Sequence, residues 1–128
     1  MNDTCVFCKI ISGEFSCYKI YEDDVVMSFL SIEPVTYGHT LVIPKKHVLG
    51  FPEIDLDTLN HINKVGKEIY EKINKNLKPS GIKLTQNNGS LQEVKHYHLH
   101  LVPVYEDENK NKNKKELEKV LNEILKED

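Results

Sequence analysis

The sequence predicts an α+β fold with an antiparallel sheet of about five strands, one long helix and a C-terminal helix. Five short apolar runs, bounded by turn residues, have the length of strands. Residues 52–77 and 117–125 instead repeat apolar residues at three- and four-residue steps, as amphipathic helices do. At 128 residues the chain has the length of one domain with one ordinary hydrophobic core.

The N-terminal segment is predicted to form a short helix that Thr4 caps and that ends near Gly13. It carries Cys5 and Cys8, for which three interpretations stay open: half of a zinc site, a redox dithiol or two buried thiols. Zinc needs two further nitrogen or sulfur ligands, and redox dithiols of the thioredoxin type follow a strand, which this pair does not. With Cys17 the thiol count is odd, and the first residues have no secretory pattern. We therefore expect a reducing, cytoplasmic location.

Four strands and the long helix follow in chain order. The strands are predicted at 18–21, 25–30, 40–43 and 82–85, and the long helix at 52–77. Asp55 or Asp57 is positioned to cap this helix, and the breaker sequence at Pro79 ends it. The apolar positions that define the helix are Leu56, Leu59, Ile62, Ile69, Ile73 and Leu77, with Val65 in the one seven-residue gap.

Residues 95–103 are predicted to form the fifth strand and to carry the chemistry. Side chains alternate between the two faces of a strand, so His96, His98 and His100 share one face while apolar side chains take the other. Imidazole can be a nucleophile, an acid, a base or a metal ligand near neutral pH. The alternative is a solvated polar face on an edge strand, which the interleaved apolar residues disfavour.

The chain becomes polar after the fifth strand. We expect a domain at 1–105, a mobile polar linker at 106–115 and an amphipathic helix at 116–128, whose apolar face packs on its own domain or on a partner chain. A net charge of −3 argues against a nucleic-acid partner. No apolar run approaches the length of a membrane span, so we expect no membrane partner.

The stretch His96-Tyr97-His98-Leu99-His100-Leu101-Val102 resembles the histidine triad (HIT) pattern, in which three histidines alternate with apolar residues. Residues 29–47 are also similar to that family, with an apolar strand, a proline-containing loop, Gly-His and then Leu-Val-Ile-Pro-Lys-Lys-His. The resemblance is to the Hint-like branch of bacterial-type HIT hydrolases. It implies a HIT-like α+β fold, a homodimer, and hydrolysis of purine nucleoside phosphoramidates through a nucleotidyl-histidine intermediate.

The resemblance also assigns roles to the histidines. His98 is expected to be the nucleophile, and His100 to hydrogen-bond the transferred phosphate. His96 is expected to complete a structural zinc site whose other ligands are Cys5, Cys8 and His47; four protein ligands leave no open position. Strict alternation puts His96 on the face of His98, so the zinc role requires a backbone bend at the start of the strand.

The same resemblance implies contacts with a purine nucleotide such as AMP or GMP. The residues expected to bind it are Phe29 and Ile32 for the base, Ser31 for the ribose, Asn87 and Val94 for ribose or phosphate, and Gln92 in the loop before the triad. His39 has two interpretations: it lines the pocket behind the catalytic groups, or it only hydrogen-bonds within its loop.

This sequence departs from the family pattern near the phosphate. Ser31 stands where an aspartate is common, Leu91 replaces a glycine in a loop about two residues short, and Glu93 stands where some members have a hydroxyl. The altered loop keeps open a dinucleoside polyphosphate hydrolase or nucleotidyl transferase. Leu91 and Ser31 keep open a nucleotide-binding regulatory or scaffold protein with weak or no catalysis. A zinc-dependent interaction module is a further alternative.

Overall fold

A five-stranded antiparallel sheet forms the centre of the computed structural model, which describes residues 4–112 and 116–127. The elements in chain order are α1 Val6–Ile11, β1 Lys19–Glu22, β2 Val26–Leu30, β3 Thr40–Pro44, α2 Leu56–Leu77, β4 Gly81–Thr85, β5 Leu99–Val104, α3 Glu108–Lys112 and α4 Leu117–Leu125. The strand order is β1-β2-β3-β5-β4. The predicted α+β fold with its long and C-terminal helices is therefore confirmed.

The two faces of the sheet are covered differently. The main core lies between one face and the helices α2 and α4, with Ile62, Ile73 and Leu101 fully buried in it. On the other face, Phe7 and the two cysteines of α1 and its cap pack against Phe29 and neighbouring side chains of β2 and β3. Because α1 covers only part of this second face, the first part of β5 remains open to a pocket.

Two helix starts differ from the prediction. Cys5, not Thr4, is the N-cap of α1, and its Sγ accepts the Cys8 N–H at 3.4 Å. The long helix starts at Leu56 rather than at residue 52, because the backbone before it forms a turn closed by the Ile54 N–H on the Gly50 carbonyl. Of the two candidate caps, Asp55 is the one that accepts, from the Thr58 N–H at 3.0 Å.

The C-terminal part of the chain folds back on its own domain. The apolar face of α4 packs on α2 and β1, with Val120 and Ile124 fully buried, and the Asn76 amide donates to the Ile124 carbonyl at 2.8 Å. The predicted mobile linker contains the short helix α3, and its residues 113–115 lie outside the described part of the chain. The division into domain, linker and terminal helix stays a prediction.

Within residues 4–112 and 116–127, no helix is both long enough and apolar enough to cross a membrane.

Candidate active site and adjoining metal centre

The fifth strand begins later than its alternating pattern predicts. β5 starts at Leu99, so only His100 of the three histidines lies within it, and residues 93–96 form a bend closed by the His96 N–H on the Val94 carbonyl at 2.9 Å. The predicted strand at 95–103 is therefore wrong at its start. The bend is what separates the ring of His96 from the face that carries His98 and His100.

His96 points into a cluster of four metal-binding side chains. Its Nδ1 lies 3.4 Å from the Cys5 Sγ and 3.7 Å from the Cys8 Sγ, and the His47 Nδ1 lies 3.3 Å from the Cys8 Sγ. The four ligand atoms all lie within 4.8 Å of one another. The predicted quartet thus comes together from α1, the end of β3 and the bend before β5.

The donor set fits a tetrahedral zinc ion. Two sulfurs and two imidazole nitrogens are a common structural set for this metal. The His96 Nε2–H donates to the Pro44 carbonyl at 2.8 Å, which leaves the Nδ1 lone pair directed at the sulfurs. Metal-bound histidines are usually oriented by such a second hydrogen bond. Burial lowers the pKa of His96 to about 4, so the ring is in the neutral form that a metal requires.

His98 is held in a single tautomer by the backbone of His96. The His98 Nδ1–H donates to the His96 carbonyl oxygen at 2.7 Å, which leaves Nε2 with the free lone pair. Burial lowers the pKa of His98, so the neutral ring persists at neutral pH. The Phe7 ring packs edge-on against it, with centroids 5.0 Å apart. A neutral imidazole held in this way has the orientation that a nucleophile needs, with its Nε2 lone pair free.

His100 is held in the opposite tautomer to His98. Two successive hydrogen bonds from the loop at 31–39, which we call the pocket loop, form the relay that holds it. The Val35 N–H donates to the His39 Nδ1 at 3.0 Å, so the His39 Nε2–H must donate to the His100 Nδ1 at 2.9 Å. The His100 Nε2 therefore carries a proton. His98 thus presents the lone pair of its Nε2, and His100 presents the N–H of its Nε2. This contact favours a pocket role for His39 over a purely local one.

A cavity of 330 Å³ opens over these histidines. Five of the predicted site residues line it: Ser31, His39, Asn87, His98 and His100. The remaining lining residues of the cavity are Glu33, Val35, Lys83, Thr85, Glu93 and Val102. Of this second group, only Glu93 was singled out by its sequence position.

The other predicted nucleotide contacts lie elsewhere in the described structure. Phe29 is buried beside Phe7, whereas Ile32 is 66% exposed. Gln92 is buried and donates to the Leu49 carbonyl at 2.6 Å, and Val94 packs against the cluster under α1. Their contacts with a nucleotide stay predictions.

Lys83 and Thr85 were missed because they are identified only by the register of the sheet. Thr85 pairs with His100 and Lys83 with Val102, so all four side chains face the cavity. The alternation of residues 81–85 indicates which of them share a face, but nothing local indicates which partner strand they meet.

The depressed pKa values predict an acid-sensitive fold. Burial is the main cause that lowers the pKa of His39 and of His100 from 6.5 to about 4. Between these values the unfolded chain binds more protons than the folded one, so stability falls as the pH falls from 6.5 towards 4. Urea unfolding at a series of pH values measures this slope, and His39→Gln should reduce it. An unchanged slope in that variant contradicts the prediction.

This chain is similar in sequence to known proteins over most of its length. The HIT domain profile matches residues 12–107. An uncharacterised HIT-like protein of Methanocaldococcus jannaschii is 43% identical over 126 residues, which cover 96% of this chain and 97% of that protein. An adenosine 5′-monophosphoramidase of Schizosaccharomyces pombe is 36% identical over 102 residues, covering 78% of this chain and 74% of that protein.

A solved structure of similar fold contains zinc. A zinc-bound histidine triad family protein of Mycobacterium smegmatis superposes with a TM-score of 0.82 at 33% identity, covering 95% of this chain and 93% of that one. The profile match spans most of the chain, and the alternating histidines lie inside it. This chain therefore belongs to the HIT domain family.

Proposed function

We propose that this protein hydrolyses purine nucleoside phosphoramidates, with AMP or GMP as the nucleotide product and His98 as the nucleophile. The observation that carries this proposal is the hydrogen bond from the His98 Nδ1–H to the His96 carbonyl, which reserves the Nε2 lone pair for attack. The name of the S. pombe relative, an adenosine 5′-monophosphoramidase, supports the substrate class.

The reaction has two displacements at phosphorus. The Nε2 of His98 attacks the phosphorus atom, the P–N bond of the substrate breaks, and the amine leaves with the bonding pair and takes a proton from water. Water then attacks the nucleotidyl-histidine, its oxygen joins the nucleotide, one proton is released, and the bonding pair returns to Nε2. The proton consumed in the first step is released in the second, so the sum is hydrolysis.

His100 stabilises the charge that develops on the phosphoryl oxygens. Its Nε2–H is available as a donor because His39 holds its Nδ1 as the acceptor. The relay starts at a backbone N–H, so it needs no external proton to set the tautomer. A donor that is oriented before the reaction stabilises the transition state without reorganisation at that moment.

Cys5, Cys8, His47 and His96 hold a structural zinc ion in this proposal. When bound, the ion supplies no reacting group, because all four positions are taken by protein. The chain's own contribution is to join α1 and the end of β3 to the bend before His98. The zinc-bound M. smegmatis relative supports the identity of the metal.

The leaving group is selected by charge in this proposal. Glu93 and Glu33 line the cavity with a single lysine, Lys83. A carboxylate beside the phosphate repels a polyphosphate leaving group and attracts a cationic amine. This favours phosphoramidate hydrolysis over the alternative, hydrolysis of dinucleoside polyphosphates.

Glu93→Gln is expected to shift the substrate preference towards polyphosphates. We expect the ratio of kcat/KM for diadenosine tetraphosphate to that for an aminoalkyl phosphoramidate of adenosine to rise about fivefold, because one nearby charge is removed. Steady-state kinetics on both substrates measure the ratio, and the exposed Glu14→Gln is the control. A ratio equal to that of the control rejects a role for Glu93 in selection.

A homodimer is also proposed. β4 lies at the edge of the sheet, its Leu84 is 54% exposed, and a groove beside it is lined by Tyr70 and Leu99. An open strand edge with an apolar border is suited to pairing with a second copy. Sedimentation equilibrium is expected to give twice the chain mass, and Leu84→Lys is expected to lower it. A monomer at every concentration contradicts the proposal.

Release of AMP from adenosine 5′-phosphoramidate tests the central proposal. The full-length chain is purified without chelator, and product formation is followed by chromatography. Turnover supports the function. If the chain binds AMP but releases none from this substrate or from a substituted phosphoramidate, the hydrolase proposal is rejected and the nucleotide-binding regulatory alternative takes its place.

A further inference from the structure

The C-terminal segment, defined as the described residues 108–112 and 116–126, lies beyond the residues that match the HIT domain profile. The chemistry proposed above does not use it. It nevertheless contacts the pocket loop directly, through α3 and α4, and not only the core beneath the sheet. A segment outside the profile match is thus joined to a loop that lines the pocket.

Tyr37 is the residue of the pocket loop where this contact occurs. Its N–H donates to the Lys110 carbonyl at 3.1 Å, its carbonyl accepts the Tyr105 hydroxyl at 2.6 Å, and its own hydroxyl donates to the Glu123 carboxylate. All three polar groups of Tyr37 therefore bond to residues that follow β5. Tyr37 is only 5% exposed, its bond with Tyr105 is buried, and its bond with Glu123 is partly buried.

The rings around Tyr37 strengthen the same contact. Tyr105 packs edge-on against Tyr37 with centroids 6.3 Å apart. The Lys110 Nζ lies 5.7 Å from the centroid of the Tyr37 ring and 5.3 Å from that of Tyr105. Cation–π contacts at these distances are attractive. The segment thus binds Tyr37 through its backbone, its hydroxyl and its ring.

The connection from Tyr37 to the proposed catalytic relay is only two residues long and lies within a turn that the His39 N–H closes. Gly38 has φ +91, and a Cβ there would lie 2.5 Å from the Leu77 Cδ1. His39 follows. Its backbone N–H donates to the Thr36 carbonyl at 3.2 Å, and its Nε2–H donates to the His100 Nδ1 at 2.9 Å. A shift of Tyr37 therefore moves His39, and the His39–His100 bond tolerates little movement.

We infer that the C-terminal segment is a positioning device for the active site: by holding Tyr37, it keeps His39 bonded to His100 and so fixes the tautomer of His100. This inference rests on the proposed function for its effect on turnover, but its structural part is independent of any substrate. Tyr37 and Glu123 are positioning residues, because neither lines the cavity over His98.

The alternative is that Tyr37 is an ordinary buried residue whose bonds contribute only to stability. The two are separated by Tyr37→Phe and Glu123→Gln, which keep the packing and weaken one hydrogen bond. Two control variants match them. Tyr21→Phe removes another tyrosine hydroxyl that donates to a carboxylate, at 2.7 Å, away from the cavity. Glu118→Gln removes the same charge from an exposed position of α4.

Imidazole nitrogen shifts measured by NMR report the tautomers directly, in the full-length metal-loaded protein without substrate. We expect wild type and both controls to show His100 protonated only on Nε2, and the two Tyr37-contact variants to show mixed tautomers. Amide exchange of His39 should accelerate about tenfold in those variants, while exchange of Val42 in β3 stays unchanged. The kcat for phosphoramidate hydrolysis should fall about tenfold, whereas both controls keep the wild-type value.

An unchanged His100 tautomer together with unchanged exchange at His39 would overturn the inference, whatever happens to the melting temperature. Equal acceleration at His39 and Val42 would also overturn it, because that result indicates global destabilisation. If wild type shows no turnover, the proposed function fails by itself, and the NMR and exchange measurements alone decide whether the segment holds the relay.

Discussion

His98→Ala is expected to reduce AMP release from adenosine 5′-phosphoramidate by a factor on the order of 10⁴ or more, since losses of this size follow removal of a nucleophile. The other pocket residues still bind the nucleotide, so its dissociation constant should change far less than kcat. Single-turnover measurements of AMP release, with AMP binding followed by calorimetry, separate the two quantities.

A cavity-rescue experiment makes this result specific. Alanine leaves a space the size of an imidazole ring between Phe7 and His100. Free imidazole supplied at high concentration should restore part of the turnover, because it brings back the attacking nitrogen without the tether. His61→Ala, on α2 and outside the pocket lining, is the control and should retain activity. Equal release by wild type and His98→Ala removes His98 from the mechanism.

Loss of the metal is expected to have the largest effect on stability. Wild-type protein purified without chelator should contain about one zinc ion per chain, whereas Cys8→Ser should contain less than half. The free energy of unfolding should fall by several kcal/mol, because metal binding at such a site is coupled to folding. Elemental analysis and urea unfolding measure the two effects.

Cys17→Ser is the matched control for this prediction. Cys17 is the third cysteine of the chain, lies outside the metal cluster and is partly buried. Its replacement should leave the zinc content at the wild-type level and alter stability only slightly. Wild-type protein with less than half a zinc ion per chain would refute a structural zinc site, whatever the stability of the variants.

Metal loss is also expected to disturb the nucleophile through His96. The ring of His96 lies among the metal-binding side chains while its carbonyl accepts the His98 Nδ1–H. Movement of the bend therefore weakens the bond that sets the tautomer of His98. The imidazole nitrogen shifts of His98 in Cys8→Ser test this link without any substrate. If His98 in that variant is still protonated only on Nδ1, the link is contradicted.

Local patterns predicted the parts of the fold that depend on local physics. The repeat from Leu56 to Leu77 forms a helix because its apolar residues lie on one face. The sequence offered Asp55 or Asp57 as its cap, and the structure shows that it is Asp55. The predicted start of β5 was wrong. The alternation of apolar and polar residues indicates only which side chains share a face, whereas the bend before Leu99 depends on the backbone of residues 93–96.

Contacts between distant segments were beyond local patterns. The resemblance to the HIT family anticipated the grouping of Cys5, Cys8, His47 and His96, but the bond between His39 and His100 joins residues 61 positions apart. Which nitrogen of His100 carries the proton depends on that bond and on the Val35 N–H. The apolar face of the terminal helix was clear from the sequence. The hydrogen bond between Glu123 of that helix and Tyr37 was not.

The two roles of His96 belong to chemically independent parts of one residue. The carbonyl that holds His98 is present in every amino acid, while the ring in the metal cluster requires a histidine or another metal-binding side chain. Substitutions during evolution can therefore abolish the metal centre and still conserve the tautomer of the nucleophile, provided that other packing preserves the bend. The carbonyl role depends only on the backbone shape of the bend, and the proposed metal role depends on the side chain, so a substitution can alter one without the other.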